Sequence, residues 1–351
     1  MTPVTVHRLG LVEYQDGLEL QRRFQRARMA GAVGDSLMLL SHPPVLTMGR
    51  GAKQFNILAP PSLLEREGVT VHATDRGGDV TYHGPGQLVG YPLLHLGPGR
   101  QDVRKYVRGL EEVLIRTLST FGITAQREEK WPGVWVKQSK LGGLRKIAAL
   151  GVHLSRWYTR HGIALNVEPK LSHFELIVPC GIKEAGVTSM AAELGAAPGF
   201  REVEREFAAR FGEVFEQPIE WAGQPFRTVS VAVRRAGKVL LLRRTAERGG
   251  FWQPVTGKIE AGESALSAAR RELAEETGIE GEVKPLEYVH SFVIAGADGE
   301  APVVAEESAF AVEAAGEAVV IDPAEHDAFE WVVPEVAVER VPYAGLKRIV
   351  R

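Results

Sequence analysis

Cysteine is nearly absent from the 351-residue chain, which contains one, Cys180. A lone thiol cannot close an internal disulfide, nor build a zinc site of the several-cysteine kind. No uninterrupted apolar run approaches the length that spans a bilayer. The amino end, Met1 to Arg8, has neither the basic nor the apolar region of a signal peptide. Net charge is also small: 42 Lys and Arg against 44 Asp and Glu leave −2, so nothing suggests nucleic acid as a bulk partner. Internal repeats and low-complexity tracts are missing. These absences predict a cytoplasmic protein in a reducing compartment, with no membrane partner. At this length two domains are the expectation.

Cys180 lies between Pro179 and Gly181, straight after the apolar Leu176-Ile177-Val178. That setting suggests the rim of a strand. Two readings stand there, an inert buried thiol or a nucleophile.

Upstream, Asp16 is placed to cap a helix carrying Leu20, Phe24 and Ala27 on one face. Ser36 to Leu40 reads as a strand, and His42 to Arg50 as a loop by its prolines. Arg50 and His42 could touch substrate or be structural. The stretch Arg76-Gly77-Gly78-Asp79-Val80-Thr81-Tyr82-His83-Gly84-Pro85-Gly86-Gln87 describes a tight loop between extended segments. Its glycines let backbone approach a ligand closely. A phosphate cradle would feed a helix and usually carry Lys-Ser/Thr; a pocket wall with Arg76 and His83 as polar handles fits better. Asp102 caps an amphipathic core helix, Trp131 to Val136 turns into a strand, and Arg145 to His153 is an apolar strand with two cations at its start. The next strand, His161 to Val167, leads on to Cys180.

These strands could bring Lys146 to Cys180, although 34 positions separate them (180 − 146). An unperturbed thiol, with pKa about 8.5, is only a few per cent thiolate at neutral pH. An ammonium about 4 Å away contributes up to about 4 kcal/mol at an effective dielectric of 20, part of it lost to desolvation. Lowering the thiol pKa by about one and a half units makes roughly half of it nucleophilic. The same lysine can protonate a leaving thiol and take a proton from an incoming amine. Such a pair suits acyl transfer through a thioester.

The segments Arg76 to Gln87, Lys146 to Gly151, His161 to Val167, Val178 to Ile182 and Gly186 to Met190, with His42 to Arg50 before them, resemble the lipoyl(octanoyl) transferase family over about residues 5 to 217. The resemblance implies transfer of an octanoyl group from acyl carrier protein to a lysine of lipoyl domains of 2-oxoacid dehydrogenases and of the glycine cleavage H protein. It puts Cys180 on the acyl-thioester nucleophile and Lys146 on the lysine that activates it. Arg76, Gly77, Gly78, Asp79, Val80, Thr81, Tyr82 and His83 fall on segments lining the acyl pocket, as do Ala149, Leu150 and Gly151, and Gly162, Ile163 and Ala164. The implied fold is the α/β sheet of biotin and lipoate ligases, with no cofactor. Ligases of that fold spend ATP and need no cysteine nucleophile, so Cys180 discriminates.

Phe200 to Phe215 is a further amphipathic helix, with Val203, Phe207 and Phe211 on one face. The expected domains are 1–219 and 227–351, with 220–226 as linker. Past the linker the pattern changes to period-2 strands, Thr228 to Val233 and Val239 to Leu242, around an Arg235-Ala236-Gly237-Lys238 turn. Gly257, Glu263, Arg271, Glu272, Leu273, Glu275, Glu276, Gly278 and Ile279 then satisfy G-x5-E-x7-R-E-U-x-E-E-x-G-U, with U apolar. Its fixed identities, each about 0.1 by composition, coincide by chance in on the order of 10⁻⁷ of windows. Ser264 can cap a helix that Gly278 ends. Glu272, Glu275 and Glu276, at i, i+3 and i+4, share one side of it. The plain alternative is a solvated acidic face, but acids near a helix C-terminus oppose its dipole. Crowded there, they repel unless a cation sits among them, and hard oxygen donors suit Mg²⁺ or Mn²⁺.

This spacing is the Nudix box. The resemblance implies an α/β/α sandwich and hydrolysis of a nucleoside triphosphate or nucleoside-diphosphate-linked substrate. It implies metal on Glu272 and Glu276 with Glu275 assisting, and Arg271 with Glu263 bracing the loop. Phe251 to Gly257 resembles the branch acting on dATP or dihydroneopterin triphosphate, which makes Glu325 a further metal ligand or base. Trp252 could stack a base or simply pack. The whole is read as an α/β fusion of two enzymes, the alternative being a Nudix module that only senses nucleotide or is structural.

Overall fold

The computed structural model describes residues 2–351 except 130, 138–142, 179–185, 224 and 296–300, and except the side chains of 287 and 293–295. The chain separates into two compact units, passing from one to the other after Gly223.

The first unit begins with β1 (Val4–Leu11), α1 (Tyr14–Met29), β2 (Ser36–Ser41), β3 (Val45–Met48), α2 (Pro61–Arg66) and β4 (Thr70–Ala73). It continues through β5 (Val80–His83), β6 (Gln87–Leu93), α3 (Val103–Thr120), β7 (Gln126–Arg127), β8 (Val134–Lys137), β9 (Leu144–Ser155) and β10 (Tyr158–Asn166). β11 (Gly186–Val187), α4 (Met190–Leu194), α5 (Phe200–Phe215) and β12 (Ile219–Trp221) complete it. Its mixed sheet runs β12-β1-β2-β6-β10-β9-β8-β7, with β11 parallel on β9. A small second sheet orders β4-β3-β5.

Strand alternation decides what each face of β1 meets. Val4 and Val6 enter the core formed with α3 and α5, where Leu110, Leu114, Phe207 and Phe211 are fully buried. His7 turns to the opposite side, its ring 4.9 Å from that of Phe24 on α1. Asp102 caps α3 by accepting the Lys105 N–H at 3.0 Å. The β9–β10 hairpin turns through Arg156 and Trp157, both at positive φ (50° and 66°), the geometry of a type I′ turn.

Three expectations change. α1 starts at Tyr14, so Asp16 sits in its first turn and not at its cap. Part of the expected loop 42–50 is β3, because Val45 to Met48 pair with both β4 and β5. The expected linker begins later, since Glu220 and Trp221 pair with Thr5 and Val6 on β1.

The second unit comprises β13 (Phe226–Arg235), β14 (Lys238–Arg244), β15 (Trp252–Gln253), β16 (Val255–Lys258) and α6 (Ala265–Thr277). β17 (Lys284–Ala295), β18 (Val303–Glu313), β19 (His326–Val332), α7 (Pro334–Arg340) and α8 (Ala344–Ile349) follow. β13 pairs parallel with β18 and antiparallel with β16, while β14 carries β19 and β15. Val229, Val231 and Val233 alternate inward against Ala268, Ala269 and Leu273 of α6. Ser264 caps α6 through the Ser267 N–H at 3.1 Å, and Gly278 ends it at φ 66°. Among the described residues no helix is long and apolar enough to cross a membrane.

Candidate active sites

In the first unit, a narrow cleft opens where β5, β9 and β10 converge. Arg76, Gly78, Asp79, Thr81 and His83 form one wall; Ala149, Leu150 and Gly151 on β9 and Gly162, Ile163 and Ala164 on β10 form the other. Its free volume is about 40 Å³, room for a few waters. The predicted stretch 76–83 divides by strand alternation. Thr81 and His83 face the cleft, whereas Val80 and Tyr82 turn into a separate core with Leu46, Leu64 and Phe174. Gly77 holds the wall in place, its N–H donating to the Val152 carbonyl at 2.9 Å.

Arg76 is buried and clamped by Thr47, donating through Nη2 to the carbonyl at 2.5 Å and the hydroxyl at 2.9 Å. His83 is held near Gln87 Oε1 at 2.7 Å, and burial pushes its pKa down to about 3, so the ring is neutral. Glycine is required at 162, where a β-carbon would overlap the Gly90 carbonyl oxygen and lie 2.6 Å from Pro92 Cδ.

Sequence reasoning missed Tyr14, Tyr91 and His161 as lining residues. His161 adopts φ 57° within β10, and its Nε2 lies 2.8 Å from Asp75 Oδ1. Arg160 joins the same carboxylate at 2.5 Å, and the His161 bond is the first cause holding Asp75 well below the usual carboxylate range. His42, proposed for substrate, is fully buried outside the cleft. Its two ring nitrogens lie 2.6 Å from the Val12 carbonyl and 2.8 Å from the Tyr91 hydroxyl. Arg50 is exposed and absent from the cleft lining.

Lys146 is buried on β9. Its Nζ donates to the Pro132 carbonyl at 3.2 Å and stands 4.6 Å from the centre of the Trp135 ring. The turn beneath it is anchored by Glu111 of α3, a buried carboxylate that accepts the Gly133 N–H at 3.3 Å. Gly133 has φ 137°, and a β-carbon there would come within 3.1 Å of Lys146 Cε. Cys180 lies outside the described residues. The chain on either side of 179–185 is fixed: the Val178 N–H donates to the Asn56 carbonyl at 2.8 Å, and Val187 pairs with Lys146. Asn56 in turn donates to Asp79 Oδ2 at 2.6 Å.

The acidic helix α6 supplies the second site. Arg271 grips Glu263 with two bonds of 3.1 and 3.0 Å and donates to the Lys258 carbonyl at 2.9 Å, bracing the loop before the helix. It also reaches Glu272 at 2.8 Å and the exposed Glu275 at 2.9 Å. Glu276 is buried, accepting the Thr256 N–H at 3.3 Å. Burial raises its pKa well above the ordinary value, and the Glu272 and Glu325 charges raise it further. Glu272 is also raised, first by burial. Glu325 lines the same cavity of about 590 Å³ and pairs with Arg248 at 3.1 Å. Gly257 faces Glu272 so closely that a β-carbon would fall on the carboxyl group. Trp252 is no part of this cavity. It is half-buried, with the guanidinium carbons of Arg243 and Arg340 5.7 and 5.5 Å from its ring centre, while Phe251 does line the cavity.

Hard oxygen donors, mutual repulsion and a glycine-cleared space fit a divalent cation. As placed, no group of three or more His, Cys, Asp or Glu among the described residues is arranged to hold one, and Glu275 is turned to Arg271.

Both domains match known families. Residues 13–212 match the lipoyl protein ligase A/B catalytic domain, and residues 224–349 match the NUDIX domain. An octanoyltransferase of Myxococcus xanthus is 53% identical, covering 100% of this chain and 99% of its own. One of Chloroflexus aggregans is 50% identical over 62% of this chain and 96% of its own. The chain belongs to the octanoyltransferase family and carries a Nudix hydrolase domain. Among solved structures, the E. coli dihydroneopterin triphosphate pyrophosphohydrolase covers 36% of this chain and 95% of its own, at 24% identity and a TM-score of 0.32.

Proposed function

We propose that octanoyl transfer runs through a thioester on Cys180, with acyl carrier protein as donor and a lysine of lipoyl domains or of the glycine cleavage H protein as acceptor. The observation that carries this reading is Lys146. It is a buried ammonium on the same strand as the cleft residues Ala149 to Gly151, three residues away (149 − 146), and it pairs with the segment that resumes after 185. The Cys180 thiolate attacks the octanoyl carbonyl, the carbon–sulfur bond to the donor breaks, and Lys146 protonates the departing thiol. The acceptor amine then attacks the Cys180 thioester, Lys146 takes its proton, and the cysteine sulfur leaves.

In the second unit the reading is hydrolysis of a nucleoside triphosphate or a nucleoside-diphosphate-linked substrate. Glu272, Glu276 and Glu325 would hold Mg²⁺ or Mn²⁺, with Glu275 assisting. The ion would polarise the pyrophosphate and supply an activated water. Arg244 and Arg248 line the same cavity and provide charge for phosphate oxygens.

Incubation with octanoyl-acyl carrier protein, followed by intact mass, tests the first reading. Wild type should gain one octanoyl group, released by an acceptor domain. Cys180→Ser should nearly abolish transfer and leave nucleotide hydrolysis unchanged. Transfer that persists in Cys180→Ser, or that needs ATP, refutes it. A nucleotide panel with Mg²⁺ tests the second reading, and an intact domain that binds but hydrolyses nothing would make it a sensor.

A further inference from the structure

The box residues leave one carboxyl group of the Nudix cavity unexplained. Glu307 on β18 lines that cavity, yet it is only 2% exposed and lies on the sheet, away from α6. Its Oε1 has no hydrogen-bond partner and lies 3.5 Å from His290 Nε2, while Oε2 accepts from the Thr228 hydroxyl at 3.4 Å and the Ser230 side chain acts on the same carboxyl group. His290 is no counter-ion, since burial pushes its pKa down to about 4. No lysine or arginine among the described residues pairs with Glu307. A carboxylate buried without a cation is costly, and the group responds by keeping its proton; burial raises its pKa to about 8. At neutral pH it is therefore a carboxylic acid with one O–H donor and one carbonyl acceptor side by side.

The neighbourhood of this acid is aromatic. His290 stacks on Phe292 at 5.5 Å, Phe292 lies 6.3 Å from Tyr343, and Tyr343 meets Phe251 edge-on at 5.8 Å. Phe251, Phe292 and Tyr343 all line the cavity. Arg244, Arg248, Glu272 and Glu325 make the charged part of the same lining. A flat ring with a polar edge suits the first part, and a phosphate chain with its cation suits the second.

We propose that Glu307 reads the heteroaromatic base of the Nudix substrate, and that it selects an amidine edge, a ring nitrogen beside an exocyclic amino group. The acid O–H donates to the ring nitrogen, and the acid carbonyl accepts from the amino group. Adenine and cytosine offer this edge. Because the Thr228 hydroxyl donates to Oε2, the acid proton stays on Oε1, so hypoxanthine and uracil, with a ring N–H and a carbonyl there, set that N–H against the acid O–H. This assignment rests on the cavity being the nucleotide site.

Matched pairs isolate the edge: ATP against ITP, and CTP against UTP, with the full chain and Mg²⁺. The amino member of each pair should have a kcat/KM about 10- to 100-fold higher, the factor that follows from leaving a buried donor unsatisfied. Glu307→Gln should keep the ratio, because an amide also presents one donor and one acceptor. Glu307→Ala should bring it close to one, chiefly by lowering turnover of the amino member, in a chain that keeps its octanoyl transfer. Calorimetric binding of the same pairs with Ca²⁺ separates the two readings. Amino-selective binding without turnover upholds the role of Glu307 and refutes hydrolysis. Turnover with equal rates in each pair, an unchanged ratio in Glu307→Ala, or no binding of any of the four overturns the role.

Discussion

Gly257→Ala offers a separation of function that the geometry makes quantitative. The β-carbon would land on the far end of the Glu272 side chain, at Cδ, Oε1 and Cγ, all well inside the roughly 3.5 Å of carbon–carbon contact. The carboxyl must therefore retreat by more than about 1 Å. Gly257 does not need a left-handed backbone, so alanine adds no backbone strain. The obstructing atoms belong to a flexible chain that can swing away, leaving a folding cost of less than about 1 kcal/mol, below the usual range for overpacking. Catalysis is less forgiving, since about 1 Å of misplacement can cost about 10²-fold in rate. Nucleotide hydrolysis should fall about a hundredfold, while octanoyl transfer and the unfolding midpoint stay near wild type. Steady-state assays of both activities and urea unfolding on the same preparation decide it. Hydrolysis within about threefold of wild type, in a stably folded variant, would show that the Glu272 position is not critical.

The same substitution at Gly162 should behave oppositely. There the obstruction is the Gly90 backbone carbonyl and Pro92 Cδ at 2.6 Å, which cannot swing, so Gly162→Ala should cost about 2–3 kcal/mol in urea unfolding and reduce octanoyl transfer. An unfolding midpoint like that of wild type would refute this. Burial lowers the pKa of His42 from 6.5 to about 4. The unfolded state therefore binds a proton that the folded state refuses, and stability present above pH 6.5 is lost as pH falls towards 4. The loss from this group approaches about 3 kcal/mol. An imidazole NMR titration showing His42 protonated at pH 5.5 in the folded protein would contradict it. Divalent cations should relieve the repulsion among Glu272, Glu276 and Glu325, stabilising the Nudix domain by about 2.7 kcal/mol at a hundredfold excess over Kd. Chelation should stop hydrolysis and spare octanoyl transfer, and a melting temperature indifferent to Mg²⁺ would reject those ligands.

Local chemistry made the box helix legible in sequence. A helix repeats every 3.6 residues, so Glu272, Glu275 and Glu276 had to share a side, and Ser264 and Gly278 had to bound it. The cleft segments were legible for a similar reason: glycines clustered at 77–78, 84–86, 151 and 162 mark close backbone approach. Tertiary pairing decided which members of those segments face the cleft. Tyr82 looked equivalent to His83 until β5 joined β3, which sent alternate side chains into different cores. Tyr14, Tyr91 and His161 carry no local signature, because their positions follow from how α1, β6 and β10 assemble. Glu307 is the sharpest case: amid alternating residues it reads as an ordinary strand acid. Only its burial on a strand paired with both β13 and β17 takes away its water, with no lysine or arginine among the described residues to pair with it, and that turns a charge into a hydrogen-bond donor.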